Sequence, residues 1–506
     1  LIKRSVNIVW FKKDLRVYDH EALMEASRTN DILPIYIIEK EMWDQRSHSR
    51  RQWLFLKECL IDLQTQLKNI GQPLIIRYGD VIEIFEEIKK DYSIQAIYSH
   101  QETGDYYSFK RDLKVKDWVL QNSINWKEYL QFAVFRGDQD RNKWSRKRDN
   151  LMLKNTIKRP IKTNVLAINP GSFPNNNFFE FQDDKCEGRL KGGRKKGISR
   201  LNYFIENELI NYSKNISSPQ ESLESCSRLS PYISMGCISI REILHKIKHI
   251  KGNNVKMLRS RLAWHCHFVQ KLESQPELEF KELHPFFMGI RVKNESLLRI
   301  WSEGKTGFPF LDACMRSLNF NGWLNFRMRA MLISFASYNL WQPWQDSGLI
   351  LAQKFIDYEP GIHWNQCQMQ SGTTSINTNR IYNPIKQGKD HDPNGHFIRK
   401  WIPELEIVPD AYIHEPWIII NQNKTKFKEL VNTYYAKPIV DINLTTKEAR
   451  SKLFKISQKK DYYEISKSIY LKHGSRKSNF KKKPISKQKR KKFQNYNHQF
   501  ELNIKL

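Results

Sequence analysis

The chain has 506 residues, with 84 Lys or Arg against 54 Asp or Glu, a formal charge of +30. That length supports two or three domains with a sizeable core. The charge points to polyanionic partners, nucleic acid first, with a solubilising basic surface and a membrane surface as competing readings.

No apolar run approaches the ~20 residues needed to cross a bilayer. The seven cysteines form no CxxC pair, which argues against zinc, an iron–sulfur cluster and a disulfide framework. The sequence opens directly on a charged strand pattern without a secretory leader, so a soluble, cytoplasmic protein is expected.

Residues 6–11, 33–38, 74–77 and 96–99 are apolar runs of strand length, separated by amphipathic segments at 20–28, 52–68, 81–89 and 107–121. This alternation predicts a doubly wound α/β domain, a parallel sheet with helices on both faces, over residues 1–135. Residues 136–200 turn polar and loop-rich and read as an interdomain connection. A mostly helical domain is expected over 201–420 and a helical extension over 421–472. From 473 to 506, like charges with few apolar residues predict a disordered basic tail. Its Phe480, Phe493 and Tyr496 suit base stacking beside phosphate contact; a solvated tail is the alternative.

Cys226, Ser227, Arg228, Leu229 and Ser230 lead through Pro231 into a helix, where hydroxyls and free amides make either an anion site or an ordinary cap. His265 and His267 follow Trp264 at i, i+2 spacing on one helix, so they face different sides and share no metal. Phe310, Cys314 and Leu318 recur at helical spacing, as do Leu324, Met328 and Leu332, predicting a buried helix pair. Arg316, Arg327, Arg329, Asp357 and Glu359 lie among them, and a packed interior does not hold such charges unpaired. The pattern reads as the wall of a ligand pocket, with surface charge on ordinary helices as the alternative.

The run WSEGKTGFPFLDACMRSL, followed by GWLNFRMRAM, DYEP and RIYNP, closely resembles the flavin-binding domain of the photolyase/cryptochrome family. NIVWFKKDLRVYDHEAL resembles that family's N-terminal domain, and SRLSPYISMG and FIRKWIPEL extend the match to about Trp417.

The resemblance implies FAD as cofactor. Tyr212 would close over it, residues 226–230 would hold its pyrophosphate, and His265 stands where Arg is common. Arg329 and Asp357 would form a buried ion pair facing the isoalloxazine, with Glu359 at the ring edge or ribityl chain. His363 would face flavin N5, where repair enzymes usually carry Asn; as a group titrating near neutrality it is expected to donate a proton there, a simple hydrogen bond to a backbone carbonyl being the alternative. Trp264 would offer its ring to a flipped base, and Asn325 and Phe326 occupy the place where repair enzymes present His-Asn or His-His. Arg261 stands where Glu is usual.

The resemblance also implies electron transfer through tryptophans. Trp344 keeps the middle position, whereas Cys367 and Arg291 occupy the other two, leaving Trp364, Trp341 or Tyr382 as a detour; Trp301 and Trp323 read as core packing. In the N-terminal domain, Glu102 and Asp105 lie where a folate or deazaflavin antenna makes contacts, a solvated loop being the alternative. Two functions follow: a monomeric, blue-light-driven lyase acting on pyrimidine dimers in UV-damaged DNA, or a cryptochrome-like photoreceptor.

Overall fold

The computed structural model describes residues 3–474 apart from 138–140, 176–177, 182–183, 185 and 377–379. Five parallel strands, β1 (Arg4–Phe11), β2 (Asp31–Ile38), β3 (Ile75–Tyr78), β4 (Tyr92–His100) and β5 (Asn125–Tyr129), form a sheet in the order β3-β2-β1-β4-β5. Helices α1 (Glu21–Ser27), α2 (Arg50–Lys68), α3 (Val81–Asp91) and α4 (Tyr106–Gln121) connect them. β1 is central and buried from Val6 onward, because a strand covered on both faces must be apolar on both. Val6 pairs with Asp31 and Phe11 with Tyr36, which brings the carboxyl ends of β1 and β2 to one edge.

The expected α/β layer is present, with a fifth strand that the pattern did not announce. β5, sequence NWKEY, is an edge strand without a fully buried residue, so it carries no apolar run to read. The stretch read as loop-rich connection contains α5 (Arg141–Leu153), which buries Trp144, Arg148 and Met152. Helical structure resumes earlier than expected with α6 (Arg194–Tyr203).

The helical part contributes α7 (Ser230–Ser234), α8 (Asn253–Ser274), α9 (Pro309–Asn321), α10 (Phe326–Ser334), α11 (Trp344–Lys354) and α12 (Pro360–Ser371). The predicted helix pair is α9 and α10, but Leu324 precedes the N-cap of α10 and packs from the connecting turn. The expected helical extension is turn-rich over 424–437 before α13 (Ile442–Ser457) and α14 (Tyr462–His473). His473, read as the first residue of the tail, closes α14 and is buried. The remaining tail, including Phe480, Phe493 and Tyr496, lies outside the described residues.

One core cluster runs without a break from the sheet face, Val9 and Phe11, to Leu201, Tyr232 and Cys266 of the helices. The seam is close. Leu15 N donates to Met235 O at 3.1 Å and Arg16 Nη1 to Gly236 O at 2.8 Å. Gly236 has φ +63°, and a Cβ there would fall 2.1 Å from Lys13 O, so only glycine fits both the conformation and the approach.

A second tie comes from α2. Arg51 Nη1 donates to Leu318 O at 3.2 Å and Lys354 O at 2.8 Å, Nη2 to Asn319 O at 3.0 Å, and the guanidinium pairs with Asp184. Gln52 Nε2 donates to Ala352 O and Phe355 O. These carbonyls lie at the C-terminal ends of α9 and α11, where a cation is favoured.

Candidate functional site

α7, α8, α10, α12 and the loop 355–359 enclose a cavity of about 280 Å³. Every residue expected to bind FAD or the flipped base lines it: Tyr212, the turn from Cys226 to Ser230, Trp264, His265, Asn325, Phe326, Arg329, Asp357, Glu359 and His363.

The turn before α7 is built for close approach. Arg228 adopts φ +50°, and Arg200 holds the turn through Ser227 O at 3.0 Å and Cys226 O at 2.5 Å. Ser230 Oγ accepts from Trp323 Nε1 at 3.1 Å. Trp323 is therefore not mere core packing: its indole lines the cavity and spends its donor on the turn. Arg228 Nε and Nη2 are buried without a hydrogen-bond partner, and burial lowers the pKa of this guanidinium.

Across the cavity Arg329 grips Asp357 with two bonds, Nη1 to Oδ1 at 3.0 Å and Nη2 to Oδ2 at 2.8 Å. Arg329 Nε donates to Leu324 O at 2.6 Å, and its guanidinium lies 4.0 Å from the Phe355 ring centre. Further unpaired polar atoms belong to the same lining: Glu359 Oε1, both ring nitrogens of His265, Asn325 Oδ1 and Gln366 Nε2. Burial pushes the Glu359 carboxyl above its ordinary range against the pull of Lys13, and pushes His265 down to about 4. Buried donors and acceptors left open on one cavity call for a ligand carrying both kinds of partner.

His363 takes up the second of its two expected arrangements. Its Nε2 donates to Gly348 O at 2.8 Å, a hydrogen bond that braces α12 on α11, and burial pushes the imidazole down to about 4. His363→Asn is expected to leave the pH dependence of flavin photoreduction between about pH 5.5 and 8 unchanged. Absorbance-monitored illumination across that range checks it, and a shifted midpoint would restore the titrating role.

Trp364 and Trp344 stand edge to face at 5.9 Å, behind the cavity wall. Trp364 reaches it through His363, 4.8 Å away, and through Tyr358, whose hydroxyl accepts from Trp364 Nε1 at 3.0 Å. Cys367 lines the cavity with a thiol pushed far up by burial. Arg291 donates to Ser337 O and Ser371 O and lies 4.7 Å from the ring centre of Trp341, which Lys452 also approaches at 4.5 Å. Tyr382 is half-buried against the second core, and Trp301 is a fully buried part of it.

Glu102 and Asp105 border a separate crevice of about 40 Å³ at the carboxyl edge of β1 and β2, with Tyr358 shared between the two spaces. Glu102 pairs with Arg111 at 2.5 Å, while Asp105 caps α4 by accepting from Ser108 N at 2.9 Å. The solvated-loop alternative does not hold for them.

Sequence reading missed a buried triad in which Asp14 Oδ2 meets His20 Nε2 at 3.0 Å and His100 Nδ1 at 2.8 Å. His20 Nδ1 accepts from Leu23 N at 3.0 Å, which places that ring's proton on Nε2, facing the carboxylate. A metal at this point would have to displace both imidazole protons, so the triad reads as a filled hydrogen-bond network. No spacing rule joins positions 14, 20 and 100.

Two family descriptions match the chain: "DNA photolyase" over residues 7–142 and "FAD binding domain of DNA photolyase" over residues 257–455. Among described proteins it is similar to a deoxyribodipyrimidine photo-lyase of Escherichia coli, 28% identical over 88% of this chain and 97% of that one. It is also similar to a cryptochrome DASH of Gloeobacter violaceus, 26% identical over 86% of this chain and 93% of that one. In fold it is similar to a class III photolyase of Agrobacterium tumefaciens, with TM-score 0.81 and 23% identity over 91% and 99% of the two chains. A Sulfolobus tokodaii photolyase described with two FAD molecules gives TM-score 0.74 and 23% identity over 89% and 99%.

FAD suits the donor set. The open Arg228 guanidinium and the Ser227 and Ser230 turn fit a diphosphate, and the unpaired His265, Glu359 and Gln366 atoms fit a heterocycle bearing donors and acceptors. With the sheet, the helical cavity and both matched segments in agreement, the chain belongs to the FAD-binding photolyase/cryptochrome family.

Proposed function

We propose that this chain uses reduced FAD and blue light to split UV-induced pyrimidine dimers in DNA, acting as a cytoplasmic monomer. The observation that carries this reading is one cavity with a substrate-type aromatic surface at one side, Trp264 and Phe326, and the Arg329–Asp357 pair at the other. Bound FAD supplies light-driven donation of a single electron.

The chain's own residues bind, orient and insulate. Arg228, Ser227 and Ser230 take the diphosphate, Tyr212 covers that side, and Arg329 with Asp357 and Glu359 fixes a polar edge along the flavin ring. Trp264 gives a flipped base a stacking face, and Phe326 gives it a second. Asn325 keeps its Oδ1 for the bound partners while its Nδ2 holds Ile216 O at 3.0 Å. Trp364 and Trp344 form the internal aromatic pair that would carry electrons toward the cavity. The helical domain, 201–420, carries the chemistry, with 1–135 as the domain beside which a folate or deazaflavin antenna binds near Glu102 and Asp105.

A second reading, a cryptochrome-like photoreceptor, draws on Arg261 and Phe326 at the cavity mouth, which give a pyrimidine no carboxylate or imidazole. The test is illumination of the full chain, loaded with reduced FAD, with oligonucleotides carrying cyclobutane dimers or (6-4) products. Light-dependent loss of one lesion is the expected result. Persistence of both with the flavin fully reduced transfers the assignment to the photoreceptor.

A further inference from the structure

One carboxyl of the polar edge faces a cation that comes from the other domain. Glu359 is buried, and its Oε1 has no hydrogen-bond partner. Within the helical domain Arg329 is already gripped by Asp357, and burial pushes His265 and His363 down to about 4, so neither imidazole is charged near neutrality. Lys13, just beyond the end of β1, borders one small crevice with Glu359, a space of about 10 Å³ with room for no more than a single water. Its backbone is pinned at the seam, where Lys13 O accepts from Gln131 Nε2 and lies against Gly236.

The other charged groups around Lys13 are committed elsewhere. Glu102 pairs with Arg111 at 2.5 Å, and Asp105 caps α4 through Ser108 N at 2.9 Å. Along the rest of the crevice Asp14 meets His100 at 2.8 Å, and Lys12 meets Asp112 at 3.4 Å. Glu359 is therefore the acid left to Lys13. Burial raises the Glu359 carboxyl while Lys13 draws it down, and burial lowers the Lys13 ammonium while Glu359 leads the acids that raise it. An ammonium and a carboxyl removed from water together are each held in the charged form by the other.

We propose that Lys13 is a positioning residue of the flavin site, which from the end of the first strand holds Glu359 as a carboxylate and so sets the charge presented to the flavin edge. Lys13 also borders the crevice of Glu102 and Asp105, so one cation stands between the two spaces. The charge beside the flavin is thereby decided in the other domain. The inference needs FAD in the cavity and holds for repair and for signalling alike. Without Lys13 burial acts on Glu359 with less opposition, the carboxyl keeps its proton more tightly, and the pH at which it ionises moves up.

The test follows the full FAD-loaded chain in the dark by infrared titration between about pH 4 and 9, reading the protonated-carboxyl band that Glu359→Gln removes. Lys13→Met is expected to raise the midpoint of that band by about one pH unit or more, a tenfold gain in proton affinity. Lys13→Arg, which keeps a cation at the same place, is expected to stay within about half a unit of the unaltered protein. Flavin loss from Lys13→Met that is cured by adding Glu359→Gln also supports the inference, because a neutral amide needs no counter-charge. An unmoved midpoint in Lys13→Met overturns it, and so does a Glu359 band missing from both Lys13→Met and the unaltered protein. Equal shifts in Lys13→Met and Lys13→Arg, or flavin loss that the double variant does not cure, overturn it as well, since packing alone would produce them.

Discussion

Asp357→Ala is expected to destabilise the chain by about 3–5 kcal/mol and to abolish flavin retention. The size follows from what stays behind. Asp357 is the two-point partner of Arg329, at 3.0 and 2.8 Å; without it the guanidinium keeps only the Leu324 carbonyl and the face of Phe355. A cation set among Trp323, Leu324 and Phe355, with a quarter of its side chain exposed, then has no counter-charge. Removing both members at once, Arg329→Met with Asp357→Leu, is expected to recover most of the stability, because an apolar pair of similar volume carries no desolvation cost. It is not expected to recover the flavin, since the polar edge is gone. Urea unfolding midpoints of the three proteins, read beside flavin absorbance after gel filtration, check both halves. A single variant as stable as the parent would mean that the pair contributes little.

The second large effect is expected far from the cavity. Arg51→Ala should cost about 3–5 kcal/mol, as it strips partners from Leu318 O, Asn319 O and Lys354 O and strands Asp184. The carbonyl of Lys354 ends α11, and the next residues, Phe355 to Glu359, are cavity wall. Loosening that end should therefore weaken flavin binding although Arg51 lies outside the cavity. Arg51→Lys is not a rescue, because a compact ammonium does not span three carbonyls and a carboxylate. Thermal melts with and without added FAD separate the two consequences: the variant should melt early in both and gain less from FAD than the parent. Unchanged FAD stabilisation would show that the loop is held by other contacts.

How far the molecule is legible in its sequence depends on where each signal lies. β1 to β4 each carry a buried apolar run and read directly, whereas β5 is polar at the sheet edge and is set by its pairing with β4, Ala96 opposite Asn125 and His100 opposite Tyr129. The cavity lining is legible through motifs, because turns such as 226–230 and the 355–359 loop are compact in sequence. Arg51 is not: within α2 it looks like any solvated charge, and its partners lie at positions 184, 318, 319 and 354. Trp323 packs in the core as read but also lines the cavity, because an indole among apolar neighbours does not reveal whether its N–H meets a core or a binding turn. The lowered pKa of His363 comes from its burial, against the opposing pull of the Gly348 carbonyl fifteen residues earlier on another helix, and residue type alone shows neither.

The seam at Gly236 has a consequence for how the protein can be divided. The turn that presents Arg228 and Ser230 is followed within a few residues by backbone pressed against the end of β1, where Leu15 and Arg16 bond Met235 and Gly236. The cofactor-binding half thus borrows part of its own floor from the first strand of the other half. A fragment cut at the connection would expose Tyr232, which packs on Phe55 of α2, lose the brace behind its anion turn, and have no reason to keep either shape or ligand. Two units recognised separately by their sequence signatures are one unit in cooperativity, so gene fusions or truncations that respect the apparent boundary still cut through the site.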